Sequence, residues 1–179
     1  IPMIVRLGGG LNKDALIKSL KTIVMRHEVL RTKIVTAEGI AHQEILNTDF
    51  NLRIEKIKKS DVIKNKLKNK QLKDNLNASS EIEKHLLEKI QVETTRPFDF
   101  GNEPLFRGLL LELTDDATKQ HENREYILVL TFHHIISDGW SGMIFDRELK
   151  KCYESYVSGK TPRLPTLPVQ YKDYSVWQR

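Results

Sequence analysis

Two largely apolar stretches joined by a polar loop most constrain how this chain of 179 residues can fold. The first stretch runs from Pro104 to Leu113 and is rich in leucine, and the second runs from Glu125 to His133 and is rich in leucine, β-branched and aromatic residues. Such composition is typical of buried strands. The loop between them, Thr114 to Arg124, is polar, so antiparallel pairing is the simplest arrangement. We therefore expect this pair within a sheet.

Three segments repeat apolar residues with the period of an α-helix. The first follows Asn12, a candidate N-cap, and its shared face carries Leu16, Leu20, Ile23, Val24 and His27. The second runs from Glu81 to a stop at Arg96-Pro97. The third lies between Gly139 and Gly159, and its shared face carries Phe145, Leu149, Cys152, Tyr153 and Tyr156. Each helix is expected to bury its apolar face.

Shorter elements are predicted around these helices. Strands are expected at residues 1–7, 30–35, 41–46 and 52–57, with Gly39 turning the second of them into the third. A proline-spaced extended run, 162–168, should precede a last helix at 169–177. The chain therefore mixes strands and helices throughout, and it contains no internal repeat.

Composition limits the compartment and the number of domains. The length fits one domain or one lobe of a larger one, and no apolar run approaches the ~20 residues that cross a bilayer. Cys152 is the single cysteine, which excludes an internal disulfide, and Ile1-Pro2-Met3 lacks the features of a secretory signal. We therefore expect a cytoplasmic protein, and we interpret this chain, which starts without Met, as a fragment.

Charge is concentrated in one region. The net charge is +5, but most of the excess lysine lies between Lys56 and Lys73. No aromatic residues are interleaved there for base stacking, so nucleic-acid binding is disfavoured against a solvated surface. Residues 58–80 are low in complexity and rich in Lys and Asn, and their pattern indicates a helix only weakly. We interpret them as a mobile surface insertion.

The best candidate for a catalytic site in the chain is the segment His133-His134-Ile135-Ile136-Ser137-Asp138-Gly139. Neighbouring residues on a strand point to opposite faces, so at most one imidazole can enter a given pocket. A zinc site needs three or four convergent ligands, which this run does not supply. Metal binding is therefore disfavoured.

An imidazole at a strand end, followed by a helix N-terminus, suits acyl transfer. Neutral imidazole accepts a proton near pH 7, and backbone N–H groups around Gly139 could face an oxygen that becomes negative in a tetrahedral intermediate. Cys152 lies on the apolar face of its helix and is expected to be a buried hydrophobe. Ser137 and Ser141 are expected to be caps rather than nucleophiles.

Several motifs resemble those of condensation domains of nonribosomal peptide synthetases, within the chloramphenicol-acetyltransferase-like superfamily. The segment Phe132–Ser141 resembles the His-His-x-x-x-Asp-Gly signature, Arg26–Thr32 the preceding signature, and Tyr171–Arg179 the following one. Arg96–Asp99 and Pro104–Arg107 are similar to a recurring family stretch. The resemblance covers residues 1–179 and is interrupted mainly by the lysine-rich stretch.

This resemblance implies an α+β fold, a sandwich lobe in which helices pack on a mixed, largely antiparallel sheet. It identifies residues 1–179 as the amino-terminal lobe, with the carboxy-terminal lobe absent. It implies peptide-bond formation between aminoacyl or peptidyl thioesters, which the phosphopantetheine arms of donor and acceptor carrier proteins deliver. No cofactor would be bound directly. An adenylation domain is expected nearby, and the residues around the histidines favour a domain that joins two L-configured units.

The resemblance also implies residue roles. His134 would be the reacting imidazole, acting as a base or as a group that positions the amine, and His133 would support it. Gly139 would allow a turn that a side chain would block, and its N–H is the candidate oxyanion donor.

Two further pairs are assigned from the same resemblance. Asp138 would be structural, partly buried and paired with Arg31 beneath the loop. Trp140 is expected to pack, and with Ser141 to border the substrate tunnel.

Two alternatives stay open. A free-standing acyltransferase of the same superfamily would use a soluble thioester such as acyl-coenzyme A, and a degenerate lobe would hold carrier proteins without catalysis. Flanking domains would separate the first from a synthetase, whereas the intact histidine motif argues against the second.

Overall fold

The structure is a computed structural model that describes residues 1–68, 78–115 and 124–178. Helices and strands follow one another along the chain as the sequence predicted, with shifts of a few residues. In order they are β1 (Pro2–Leu7), α1 (Lys13–Arg26), a 3-10 helix (Glu28–Arg31), β2 (Thr32–Ala37), β3 (Ile40–Ile45), β4 (Arg53–Lys58), α2 (Lys59–Lys68), α3 (Ala78–Thr95), β5 (Phe106–Thr114), β6 (Glu125–Phe132), α4 (Gly139–Val157) and α5 (Tyr171–Trp177).

The main sheet has four strands in the order β1-β6-β5-β4. The predicted antiparallel pairing of β5 with β6 is confirmed, and its register places Phe106 opposite Phe132. β1 adds to the other edge of β6 in antiparallel fashion, whereas β4 runs parallel to β5. The sheet is therefore mixed and largely antiparallel, as expected.

The strands β2 and β3 form a separate two-stranded hairpin. Its turn is Glu38-Gly39, with φ of 53° and 77°, the left-handed pair that a tight hairpin turn requires. This confirms the predicted turn. The prediction that the strand starts at Leu30 is wrong, because the chain from Glu28 forms a 3-10 helix that buries Leu30 and is tied to Thr32 by a hydroxyl-to-carbonyl bond of 2.8 Å.

Helices cover both faces of the main sheet. The helices α1 and α4 pack on one face, where the cluster includes Leu20, Ile23, Leu128, Leu130 and Cys152. On the other face α3 contributes Leu86 to a cluster with Leu109, Leu111 and Val129. Burial from both sides explains why β5 and β6 are apolar in continuous runs instead of alternating.

The lysine-rich segment is described in part. The weakly indicated helix there is present as α2, and residues 69–77 lie outside the described residues. Within the described ranges, no helix is long and apolar enough to cross a membrane.

Candidate functional site

The histidine motif is a turn fixed to the end of β6. The His133 N–H donates to the carbonyl of Leu105 at 2.9 Å, which continues the sheet by one bond. The Ile136 N–H donates to the carbonyl of His133 at 3.1 Å, and the Ile136 side chain is buried against the core. Backbone bonds and one apolar anchor therefore hold the turn in place.

The two adjacent imidazoles have different surroundings. The His133 ring lies edge-on to Phe100 and Phe98, with centroids 4.7 and 5.9 Å away, and its Nδ1 accepts from the Ile135 N–H at 3.1 Å. The His134 ring is exposed and lines a cavity of about 460 Å³, of which His133 is not part. At most one imidazole of the pair was expected to enter a given pocket, and of the two only His134 lines this cavity.

The cavity is partly open and mainly apolar. Its walls come from the start of β1, the segment after α1, the histidine turn, the first turn of α4 and the first residue of α5. The lining includes Met3, Leu30, Phe132, Ile144 and Phe145 beside polar residues from the turn. Elements distant in sequence thus meet at His134. Among the residues that the structure describes, no group of three or more His, Cys, Asp or Glu is arranged to hold a metal ion.

Asp138 is the N-cap of α4. Its Oδ1 accepts from the Ser141 hydroxyl at 2.6 Å and from the Ser141 N–H at 2.8 Å, and the Asp138 N–H donates to Oγ of Ser141 at 3.4 Å, which completes a capping box. These bonds, the hydroxyl first, lower the pKa of Asp138 below its ordinary value. The carboxylate is exposed, so the expected partial burial is wrong.

The predicted pairing of Asp138 with Arg31 is also wrong. Arg31 donates to the carbonyl of Leu46 at 2.7 Å and lies 3.7 Å from the Glu28 carboxylate. The physical reason is that the helix N-terminus already supplies Asp138 with donors, while the hairpin β2–β3 and the 3-10 helix supply Arg31 with acceptors. Arg31 supports the 3-10 helix and the hairpin rather than the loop.

Gly139 is the first residue of α4 and lines the cavity. Its φ is not in the left-handed region, and a Cβ built on it would meet no atom within 4 Å. The expectation that a side chain would block the turn is therefore wrong for this chain alone. Within the described part of the chain, no hydrogen bond uses the Gly139 N–H, so it points to no competing acceptor.

Trp140 and Ser141 differ in their placement. Trp140 is 71% exposed, so the expectation that it packs is wrong within this chain. Ser141 lines the cavity and is engaged by the Asp138 carboxylate, in keeping with the predicted capping role. Cys152 is fully buried, as expected, and burial raises the pKa of its thiol.

Sequence reasoning gave no role at the site to two residues near the cavity, although it placed His27 on the apolar face of the first helix. His27 lines it, and the Nε2 of His27 lies 2.7 Å from Oε2 of Glu148, a carboxylate of α4 that is 7% exposed. Arg26 also donates to Glu148, at 3.2 Å. The sequence signal was Glu148, which lies on the apolar face of the helix between Phe145 and Cys152. A carboxylate buried on such a face needs a partner.

Comparison with known proteins identifies the family. The family model described as condensation domain matches residues 1–179. Malpibaldin synthetase of Mortierella alpina is 36% identical over 181 residues, and the dimodular nonribosomal peptide synthase of Bacillus subtilis is 32% identical over 179. The alignments cover 100% of this chain but 3% and 6% of the two relatives, so the chain spans a small part of these proteins.

Solved structures show the same fold. The X-domain of teicoplanin biosynthesis, in complex with OxyB, matches with a TM-score of 0.74 and 23% identity, over 99% of this chain and 32% of that one. A variant of the starter condensation domain of rhizomide synthetase matches with a TM-score of 0.70 and 14% identity, over 99% of this chain and 38% of that one. This chain therefore belongs to the condensation-domain family of nonribosomal peptide synthetases and has its chloramphenicol-acetyltransferase-like fold.

Proposed function

We propose that this chain is the amino-terminal lobe of a condensation domain and that the cavity at His134 is its half of a peptide-bond-forming site. The observation that carries the proposal is the placement of the exposed His134 ring in a cavity beside the first turn of α4. The share of the solved relatives that the chain covers, about a third, supports the assignment to one lobe.

The proposed reaction is aminolysis of a thioester. The amine of the acceptor attacks the carbonyl carbon of the donor, a C–N bond forms, and the C–S bond breaks to release the donor thiol. The attacking nitrogen loses a proton, and the leaving sulfur gains one. His134 either takes the proton or holds the amine and stabilises the charged intermediate. The Gly139 N–H faces the oxygen of that intermediate.

Positioning accounts for much of the proposed rate. Both substrates arrive on phosphopantetheine arms of donor and acceptor carrier proteins, which raises their effective concentration and orients them. The chain itself binds no cofactor in this proposal. The carboxy-terminal lobe closes the cavity, and an adjacent adenylation domain loads a carrier. The exposed side chains Met143, Tyr171 and Trp140 lie on or beside the cavity wall, where a second lobe would cover them.

The finer specificity is joining two L-configured units, with Trp140 and Ser141 along the passage. The test is to produce the complete two-lobed domain, load separate carriers with donor and acceptor amino acids, and detect the dipeptide on the acceptor carrier by mass spectrometry. Donors of both configurations are compared. The expected result is dipeptide from the L-configured donor and almost none from its enantiomer.

Controls separate the rival functions. His134→Ala should lower dipeptide formation by about 10²-fold or more while the domain still binds both carriers. Transfer from acyl-coenzyme A without carriers would instead support the free-standing acyltransferase. Carrier binding with no transfer by the native domain would support a non-catalytic docking lobe. Dipeptide formation that His134→Ala leaves unchanged would refute the proposed mechanism.

A further inference from the structure

A second imidazole, His27, lines the same cavity from a distant part of the chain. His27 follows α1 as its C-cap, and its N–H donates to the carbonyl of Ile23 at 2.9 Å. The ring is largely buried, and its Nε2 contacts the buried carboxylate of Glu148 at 2.7 Å. A carboxylate only accepts hydrogen bonds, so Nε2 carries the proton and donates. The contact therefore sets the tautomer of His27.

The remaining ring nitrogen is the part of His27 available to a ligand. In a neutral imidazole whose Nε2 carries the proton, Nδ1 is an acceptor. In the ranges that the structure describes, no hydrogen bond involves Nδ1 of His27. His27 can therefore accept a bond from an N–H group in the cavity.

The polar side chains that follow His134 in the turn and at the start of α4 already make hydrogen bonds. Asp138 and Ser141 bond to each other, and the Ser137 hydroxyl donates to the carbonyl of His133 at 3.4 Å. His27 and His134 are thus the two imidazoles that an occupant of the cavity meets.

The backbone around His27 is fastened on both sides. Arg26 donates to the carbonyl of Pro165 at 2.5 Å, and Gln170 donates to the carbonyl of Arg26 at 3.0 Å. The Glu28 N–H donates to the Gln170 amide oxygen at 3.2 Å. These bonds tie His27 to the segment that leads into α5. With the backbone tied in place and Nε2 bonded to Glu148, the imidazole is held in one orientation before any substrate arrives, as positioning requires.

We propose that His27, oriented by Glu148, is a positioning residue that accepts a hydrogen bond from an N–H group of a bound thioester substrate. The N–H belongs either to the α-amine or to an amide of the pantetheine arm. This inference rests on the proposed function, since it names a further contact of the same site. His134 contacts the reacting amine, and the hydrogen bond to His27 positions one of the two substrates.

Two substitutions separate this role from a structural one. His27→Gln keeps an amide N–H that reaches Glu148 but removes the acceptor at the position of Nδ1. His27→Asn places an amide oxygen near that position but gives up the bond to Glu148. In the complete domain we expect His27→Gln to lower kcat/KM by about tenfold, mostly through KM, because one hydrogen bond to substrate is lost. His27→Asn should recover part of that loss.

The substrate provides the matched control. The probes are unreactive donor and acceptor analogues in which an amide replaces the thioester. Each analogue is compared with a version in which an ester oxygen replaces the N–H of an amide in the pantetheine arm. The acceptor analogue is also compared with a version that lacks the α-amine. For the native domain, one of these deletions should weaken binding by about tenfold. The same deletion should make no difference to His27→Gln.

The outcomes are distinct from those for the proposed function. If the native domain forms no dipeptide, the proposed function is refuted. Binding of the analogues would still test whether His27 accepts a hydrogen bond from substrate. The inference is overturned if His27→Gln stays within about twofold of the native domain in both turnover and binding. It is also overturned if the loss of binding is the same for every analogue, because His27 would then act on the fold alone.

Discussion

His133 and His134 are adjacent in sequence and identical in type, yet they lie in opposite kinds of surroundings. His133 packs against Phe98 and Phe100 and accepts a bond from the Ile135 N–H, whereas His134 is exposed in the cavity. His133 continues the sheet by one backbone bond to Leu105, whereas His134 lies in the turn that follows β6. One position thus holds the turn to the loop before β5, and the next places its ring in the cavity.

The largest expected difference between the two positions is in turnover. His134→Ala in the complete domain should lower the rate of peptide formation by about 10²-fold or more, the usual contribution of a positioned acid or base. Its melting temperature should stay within about one degree of the native value, because an exposed side chain is removed. Single-turnover kinetics and calorimetry on the same preparation measure both. A clear fall in melting temperature together with the loss of rate would contradict the predicted difference from His133.

A smaller effect on turnover is expected at Gly139. Gly139→Ala should lower turnover about tenfold, because its Cβ enters the space beside His134 where the substrate must be placed. Stability should not fall, since nothing within 4 Å meets that Cβ in this chain. Gly142→Ala, about one turn further along α4, is the matched control for adding a methyl group to this helix. Unchanged turnover in Gly139→Ala would show that substrate does not pass close to this residue.

His133→Ala should mainly change the free energy of unfolding. Loss of two ring contacts and one acceptor should cost roughly 1–2 kcal/mol. Denaturant unfolding measures this cost. At a temperature where the variant is fully folded, its rate should stay within severalfold of the native rate. A loss of rate as large as that of His134→Ala, with stability unchanged, would mean that both rings take part in the chemistry.

The smallest effect concerns the cap that follows the two histidines. Because its pKa is lowered on folding, the Asp138 carboxylate stabilises the fold above its unfolded pKa, and this contribution is lost as pH falls through the lower folded value. Asp138→Ala should therefore melt at a lower temperature than the native domain near neutral pH, and the gap should shrink in acid. Asp138→Asn keeps a cap and should melt close to the native domain near neutral pH. A gap for Asp138→Ala that is independent of pH would show that ionisation does not matter to the cap.

Local patterns predicted most of the fold. The period of apolar residues predicted α1, α3 and α4, and the continuous apolar runs predicted the β5–β6 pair. The parallel pairing of β4 with β5 could not be predicted in this way, because its register joins Arg53 to Leu109 across α2 and α3. Local pattern specifies elements, whereas nonlocal pairing depends on how their faces are covered.

The site was predicted less completely than the fold. The sequence predicted that at most one of the two histidines can enter a pocket, and His134, in the turn after β6, is the one that lines the cavity. The Asp138–Arg31 pairing failed, because a carboxylate at a helix N-terminus finds donors within its own turn. Glu148 and His27 meet across two helices, 121 residues apart, and no local pattern joins them.

The most direct test locates the acceptor amine. The measurement is a crystal structure of the complete domain with an acceptor whose pantetheine thioester is replaced by an unreactive amide. The account predicts that the α-amine lies within hydrogen-bond distance, about 3 Å, of a ring nitrogen of His134. An amine bound elsewhere in a fully occupied site, with the ring of His134 facing solvent or protein, would contradict it.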